Sequence, residues 1–441
     1  MADVQPLRGI RYRNQRVGDL AQVVTPPFDV ISEEDQARYY ARSPYNVIRL
    51  EFGKEQVQDT TLDNRYTRAA ATFAEWRANG VLRQETVPCY YLYQQSFTHN
   101  GQSYTRTGLL ARVRLEPWST KVVLPHELTH SKAKNDRLKL LRACAANFSP
   151  LMTMYDDPQG RIRRLLAAYA ANAEVQITDE VGEGHRLHAI TDAAQIARIQ
   201  DFFAERQLYM ADGHHRYETA LNYRNEIREQ RRHIHDDDAV NFVLMALIDV
   251  DDPGMLVLPT HRLLSGLNAG VLNSLFSTGG QEAPPLQRYF SVRNIGTDAT
   301  SGTILKELAQ AGEEQLSFAL CTPEQNLLLS LNEQGRRRMM ESGHAAAWND
   351  LDVAVAHRLV LDELLGIREE DISAGVYVRY TRDAQQALEV IQAKEAQVAL
   401  LLNATRGRQV RDVALADERM PHKSTYYYPK LITGLVINPL W

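Results

Sequence analysis

Apolar and polar positions along this chain follow two periods, and the change from one to the other predicts most of its elements. Residues 208–211 are a short apolar run after the polar 205–207, as expected of a strand, and Gly213 follows where a side chain would penalise a sharp turn. From Tyr217 onward, Tyr217, Ala220, Leu221 and Ile227 recur at roughly helical spacing, with Glu218, Arg224, Glu226 and Arg228 on the other faces. The stretch 208–218 therefore reads as strand, tight turn, helix.

The same reading carries along the rest of the chain. Pro26 and Pro27 force an extended backbone that holds Asp29 on a stiff loop. Ser32 caps a helix whose first turn carries Glu33, Glu34 and Asp35. Residues 46–50, rich in β-branched side chains, predict a short strand, and 61–79 a helix closed by Gly80. Asn100-Gly101 predicts a hairpin between strands at 89–97 and 102–115. Further strands are expected at 151–155 and 173–178, and helices at 160–171 and 192–203. Residues 239–250 are almost continuously apolar, as in a strand covered on both faces. After about 267 the texture changes. A hairpin is expected at 316–322 and 326–331, a helix at 353–364, and strand-helix-strand spacing over 377–402. These elements predict a mixed α/β protein with a core domain at 1–266 and a C-terminal α/β domain at 267–441.

Composition narrows the classes. With 44% hydrophobic and 24% charged residues, the chain is ordinary for a globular protein. A net charge of -5 argues against a general nucleic-acid binder. Cys89, Cys144 and Cys321 are odd in number and far apart, which suits a reducing cytoplasm rather than a disulfide framework or a zinc-binding set. No stretch reaches membrane-spanning length.

The chemistry concentrates in a few polar stretches. The turn at Gly213 sets His214, His215 and Arg216 near a helix N-terminus, where unpaired N–H groups and the positive dipole end favour an anion. Arg216 adds a fork that matches phosphate oxygens, and Asp212 can hold a histidine tautomer or a metal. His261 and Arg262 follow a buried strand. Near the end, Lys423, Ser424, Thr425 and Lys430 share a loop with three tyrosines and two prolines, a composition suited to phosphate or carboxylate. His126-Glu127-Leu128-Thr129-His130 matches the His-Glu-x-x-His zinc motif literally, but its surroundings are a solvated, basic loop and no third ligand is evident. A P-loop, a dinucleotide glycine fingerprint and a Gly-x-Ser-x-Gly elbow are absent.

Six ordered motifs carry a resemblance. They are Pro26-Pro27-Phe28-Asp29-Val30-Ile31, Ser43-Pro44-Tyr45-Asn46-Val47, His126-Glu127 with Asp136-Arg137, Asp212-Gly213-His214-His215-Arg216, Pro259-Thr260-His261-Arg262, and Lys423-Ser424-Thr425 with Tyr428-Pro429-Lys430. On these the chain resembles, end to end, a bacterial and archaeal family, domain-of-unknown-function family 1015. Phe28 stands where that family often has Tyr, and Tyr427 where it often has Phe. The neighbourhood of 205–230 also looks like the phosphate loop of the ParB/sulfiredoxin superfamily, in particular its free-serine kinases. That second resemblance implies a ParB/sulfiredoxin-like phosphate-binding core and nucleotide-dependent phosphotransfer to a small hydroxyl compound.

The resulting expectation is a small-molecule kinase using ATP or ADP with Mg²⁺. A phosphatase of a small phosphoester such as phosphoserine and a non-catalytic nucleotide sensor are the alternatives, and a metalloprotease is the outlier. Asp29, Glu127, His214 and His215 are the candidate catalytic residues. Gly213, His214, His215, Arg216, Arg262, Lys423, Ser424, Thr425 and Lys430 are the candidate phosphate or nucleotide contacts, and Asn46, Arg137 and His261 the candidate substrate contacts. Asp212 is the candidate for Mg²⁺. The expected partner is a small molecule, with neither nucleic acid nor membrane.

Overall fold

A computed structural model of the chain describes all residues except 130, 172, 232–233 and 279–282, and only the backbone of 131–133. The chain divides into two compact units, Met1–Leu256 with Pro429–Trp441, and Val257–Tyr428. The division falls at 256/257 rather than 266/267, because the strand His261–Leu264 pairs inside the second unit. The last 13 residues, by contrast, return to the first.

The first unit is built on a mixed sheet of nine strands. They are β1 (Val4–Gln5), β2 (Tyr90–His99), β3 (Gln102–Arg114), β4 (Val123–Leu124), β5 (Leu151–Tyr155), β6 (Val175–Thr178), β7 (Gly184–Ile190), β8 (Leu208–Asp212) and β9 (Phe242–Asp249). Their order is β4-β8-β5-β9-β3-β2-β7-β6, with β1 paired beside β3. Every residue of β9 is buried, as its apolar run predicts, and it pairs parallel with β5 and antiparallel with β3. The β2–β3 hairpin turns on Asn100 (φ 49) and Gly101 (φ 76), the two positive φ angles that a tight hairpin turn needs.

Helices cover this sheet. Ser32 accepts from the Asp35 N–H and caps α1 (Glu33–Arg42) in a full capping box. The expected strand at 46–50 is instead a helical turn, α2 (Ile48–Glu51). The Asn46 side chain decides it, because its Oδ1 accepts from the Ile48 N–H at 3.0 Å. A local cap outweighs weak β-propensity over so short a run. Asn64 caps α3 (Arg65–Ala78), and α4 (Ser131–Cys144) packs against both α3 and the long α6. Here α5 is Ala193–Phe203 and α6 is His214–Gln230. The core joins Leu92, Leu109, Phe203, Met210, Tyr217 and Met245, all buried.

The second unit holds a six-stranded antiparallel sheet. Its strands are β10 (His261–Leu264), β11 (Phe290–Asn294), β12 (Ser317–Cys321), β13 (Asn326–Leu331), β14 (Val378–Thr381) and β15 (Val398–Leu402), in the order β11-β13-β12-β15-β10-β14. The strand-helix-strand at 377–402 is present, but β10 lies between its two strands. The helix expected at 353–364 is α-helical only to Val355 and continues as a π-helix over Ala356–Leu364. Among the described residues no helix is long and apolar enough to cross a membrane.

Candidate functional site

Strand β8 ends at Asp212, and α6 begins two residues later at His214, a full turn earlier than the apolar spacing suggests. Gly213 makes the turn at φ 98. A Cβ there would lie 2.8 Å from Leu151 Cδ2 and 3.1 Å from Arg216 Nη2, so only glycine fits. Asp212 Oδ2 accepts from Arg216 Nη2 at 3.0 Å, and Oδ1 is held by Lys430 Nζ. Burial alone would raise the Asp212 carboxyl; Lys430, Arg216 and His214 overcome that and hold it well below the usual range. It is therefore anionic at neutral pH, on a side chain that keeps 20% exposure while Lys430 keeps 10%.

Lys430 reaches Asp212 because two buried side chains grip its backbone. Gln95 Nε2 donates to the Lys430 carbonyl at 3.0 Å, and Arg106 Nη2 donates to the Pro429 carbonyl at 2.6 Å. Gln95 and Arg106 also bond each other and face across the β2–β3 ladder. Neither is among the residues singled out from the sequence, yet the register was available there. Counting back from the Asn100-Gly101 turn pairs Gln95 with Arg106, two long polar residues facing each other in a hairpin otherwise rich in Tyr and Leu.

A second arm of polar contacts leads away from Arg216. Its Nη1 donates to Ser149 Oγ at 3.0 Å and to the Pro150 carbonyl at 3.1 Å, so most of the fork is spent inside the protein. Ser149 Oγ donates to buried Glu51 at 3.0 Å, and Arg137 Nη1 lies 3.4 Å from the same Glu51 oxygen. Burial pushes the Glu51 carboxyl up, while Arg137 and Arg216 pull it back. The Arg137 guanidinium also lies 3.8 Å from the centroid of the Phe28 ring. Asp29, next to Phe28, is exposed on the short turn Phe28–Val30. Asn46 is fully buried and also donates to the Gln22 carbonyl at 2.8 Å, so it braces the approach to that turn. A small cavity of about 40 Å³ lies among Glu51, Arg137, Ser149 and Arg216.

The third arm joins two histidines and a carboxylate. His126 is fully buried, with Nδ1 2.8 Å from the Met210 carbonyl, and its backbone N–H donates to His214 Nε2 at 3.3 Å. Accepting that bond puts the proton of a neutral His214 on Nδ1, which lies 3.7 Å from Glu127. The other Glu127 oxygen is 3.8 Å from His126 Nε2. His215 sits half-buried in the first turn of α6. Residues 126–129 run ahead of α4 without helical structure, so the helical His-Glu-x-x-His face is not formed there, and His130 lies outside the described residues. The expected solvated, basic loop is also tied down. Glu218 on α6 accepts from Thr129 Oγ1 at 2.6 Å, Lys134 Nζ at 2.8 Å and Trp118 Nε1 at 3.0 Å.

The remaining candidates belong to the second unit. Arg262 is buried and donates to the carbonyls of Thr260, His422 and Lys423. His261 is buried beside it and accepts from the Leu402 N–H at 3.2 Å. Ser424 is buried, with its hydroxyl on the Pro421 carbonyl. Lys423 is exposed in the left-handed region (φ 56), and Thr425 is half-buried. The terminal loop read as one feature in the sequence is thus shared between units, Lys423 to Thr425 in the second and Lys430 in the first.

A sequence profile described as "protein of unknown function (DUF1015)" matches residues 4–354. The chain belongs to this family. Five of the six motifs lie within the matched span, and the motif at 423–430 lies beyond it. No curated protein matches. Among solved structures, similarity is found to a conserved hypothetical protein from Pyrococcus furiosus, at 12% identity over 74% of this chain and 92% of that one, with a TM-score of 0.34. A free serine kinase in complex with AMP is similar at 11% identity over 75% and 91%, TM-score 0.36. SbnI from Staphylococcus aureus, truncated at its C-terminus, is similar at 10% identity over 74% and 86%, TM-score 0.34.

Proposed function

We propose that the first unit transfers a phosphoryl group from a nucleotide, ATP or ADP, to the hydroxyl of a small metabolite. The observation that carries this reading is the arrangement around Asp212. An ionised carboxylate ends a strand, a lysine lies on one of its oxygens, an arginine lies on the other, and a helix N-terminus opens beside it. Phosphoryl transfer is mostly positioning and charge neutralisation, and these are the groups it uses. Asp212 would hold Mg²⁺, which fits a hard ion that takes one or two carboxylates and completes its shell with phosphate oxygens; when bound, the ion neutralises charge on the phosphates. Lys430 supplies a second positive charge on a flexible stem, and the first turn of α6, which begins two residues after Asp212, offers unpaired N–H groups. Glu127, set between His126 and His214, and exposed Asp29 are the carboxylates suited to take the proton of the acceptor hydroxyl. In that step the acceptor oxygen bonds to phosphorus as the bond to the nucleotide breaks.

The test combines the full chain with Mg²⁺, ATP or ADP, and a pool of small hydroxyl metabolites that includes serine. A phosphorylated product seen by mass spectrometry, lost in Lys430→Ala, is the expected result. Phosphate released from phosphoserine without nucleotide would make the protein a phosphatase. Nucleotide bound with no turnover across the pool would make it a sensor.

A further inference from the structure

On the other side of Gln95 lies a second cluster, in the hairpin of β6 and β7. Asp179 and Glu183 flank its turn, and His185 follows on β7. Asp179 Oδ2 lies 3.3 Å from His185 Nε2, and one ligand atom from each of the three residues lies within 4.8 Å of the others. Bonds of about 2.1 Å to a common ion leave ligand atoms roughly 3–3.5 Å apart, so a small closure of two side chains brings all three into range.

Two features outside the three residues point the same way. The first is their outer contacts. The other ring nitrogen, His185 Nδ1, lies 2.8 Å from the Tyr93 hydroxyl, and Glu183 Oε2 accepts from Gln95 Nε2 at 2.8 Å. Tyr93 and Gln95 are buried on β2, and His185 is only 1% exposed, so the donors are oriented from behind as metal ligands usually are. The second is charge. Among the described residues no lysine or arginine lies within ion-pair distance of Asp179 or Glu183, although two carboxylates meet there around a buried ring; Arg106, whose charge acts on Glu183, bonds Gln95 and the Pro429 carbonyl instead. Asp136 and Asp212 in this unit have arginine or lysine partners, whereas buried Asp157 accepts from the N–H groups of Arg161 and Ile162.

We propose that Asp179, Glu183 and His185 form a binding site for a divalent transition metal of the Zn²⁺ or Mn²⁺ class. The imidazole donor selects against Ca²⁺ and Mg²⁺, which take oxygen. The site has a consequence for the rest of the unit. The Gln95 amide that donates to Glu183 also donates to the Lys430 carbonyl, so an ion in the hairpin would stiffen the backbone that sets Lys430 on Asp212. The metal-binding claim stands apart from the phosphotransfer reading.

The experiment uses the full chain, stripped with chelator, and titrates it with ZnCl₂ and with MnCl₂ by calorimetry. One equivalent of Zn²⁺ or Mn²⁺ is expected to bind at the hairpin, with affinity reduced at least about 30-fold in Glu183→Gln and in His185→Gln and unchanged in Asp201→Asn, an exposed carboxylate outside both sites. Tyr93→Phe keeps all three ligands and removes only the outer contact, so a loss of roughly tenfold is expected there. Should either ligand variant fail to fold by circular dichroism, Tyr93→Phe carries the test alone. No stoichiometric binding by the stripped protein, or equal affinity in the variants, would overturn the proposal.

Discussion

Two arginines with the same sequence reading end in opposite situations. Arg216 in the first unit and Arg262 in the second each follow a strand-like run and each neighbours a histidine. Arg216 spends Nη1 on Ser149 and the Pro150 carbonyl but gives Nη2 to a carboxylate, Asp212, which also meets Lys430, and this trio keeps some exposure. Arg262 is 1% exposed and meets only neutral acceptors, three carbonyls and a ring nitrogen. Burial accordingly lowers its guanidinium to about 10. A cation balanced by a partly exposed carboxylate can exchange that partner for a ligand. A cation that ties buried carbonyls together is a brace, and moving it leaves polar groups unpaired. Position next to a strand does not distinguish the two cases; the charge of the partners does.

The largest effect that sharpens this contrast is expected on turnover. Lys430→Ala should reduce nucleotide-dependent phosphorylation by about 10²–10³-fold, the usual cost of removing a charge-stabilising group. The melting temperature should move little, because Arg216 still balances Asp212. Arg262→Met should do the reverse. Loss of the brace strands the carbonyls of Thr260, His422 and Lys423 and should cost about 3 kcal/mol in denaturant unfolding of the second unit, with turnover per folded molecule kept. If Arg262→Met abolished turnover at full stability, the contrast would fail.

Acid separates the units next. In the second unit, burial lowers His261 and His357 to about 4, with Arg262 beside both, Asp383 near His261, and Glu369 and His422 near His357. Their folded values lie below the unfolded one, so the unfolded chain binds protons first and stability falls as pH drops from about 6.5 to about 4. Buried Asp352, raised to about 6, opposes this by gaining stability over the lower part of that window. The net loss is on the order of 3 kcal/mol. In the first unit, burial raises Asp252 to about 6, against the pull of Arg106 and with Asp249 adding to the rise, and it raises Glu51 as well. Those carboxyls favour the folded state as pH falls. Hydrogen exchange at pH 7 and pH 4.5 should therefore loosen second-unit peptides first; uniform loosening would contradict the assignment. The smallest effect is Gly213→Ala, where φ 98 and the contact with Leu151 should cost about 1–3 kcal/mol in the first unit alone.

Much of this was legible from the residues. The Asn100-Gly101 hairpin, the Ser32 cap and the buried run of β9 follow from turn chemistry, capping and hydrophobic continuity. The turn at Gly213 was legible too, because a strained φ leaves few residue choices. What the chain does not display is long-range partnership. Lys430 is 218 positions from Asp212, and nothing local marks Arg137 as the guanidinium that stacks on Phe28. That limit does not cover residues 46–50, which the local cap from Asn46 makes a helical turn. It does cover the His-Glu-x-x-His match, whose described part lies ahead of α4 with His126 hydrogen-bonded to Met210.

The central claim is that an ionised Asp212 with Lys430 on it is where a nucleotide phosphate is engaged. Calorimetric titration of ADP with Mg²⁺ into the wild type and into Lys430→Met tests it most directly. The account predicts measurable binding to the wild type and affinity at least about 30-fold weaker in the variant, or about 2 kcal/mol, with unfolding midpoints nearly equal. Equal affinity in two equally stable proteins would contradict it.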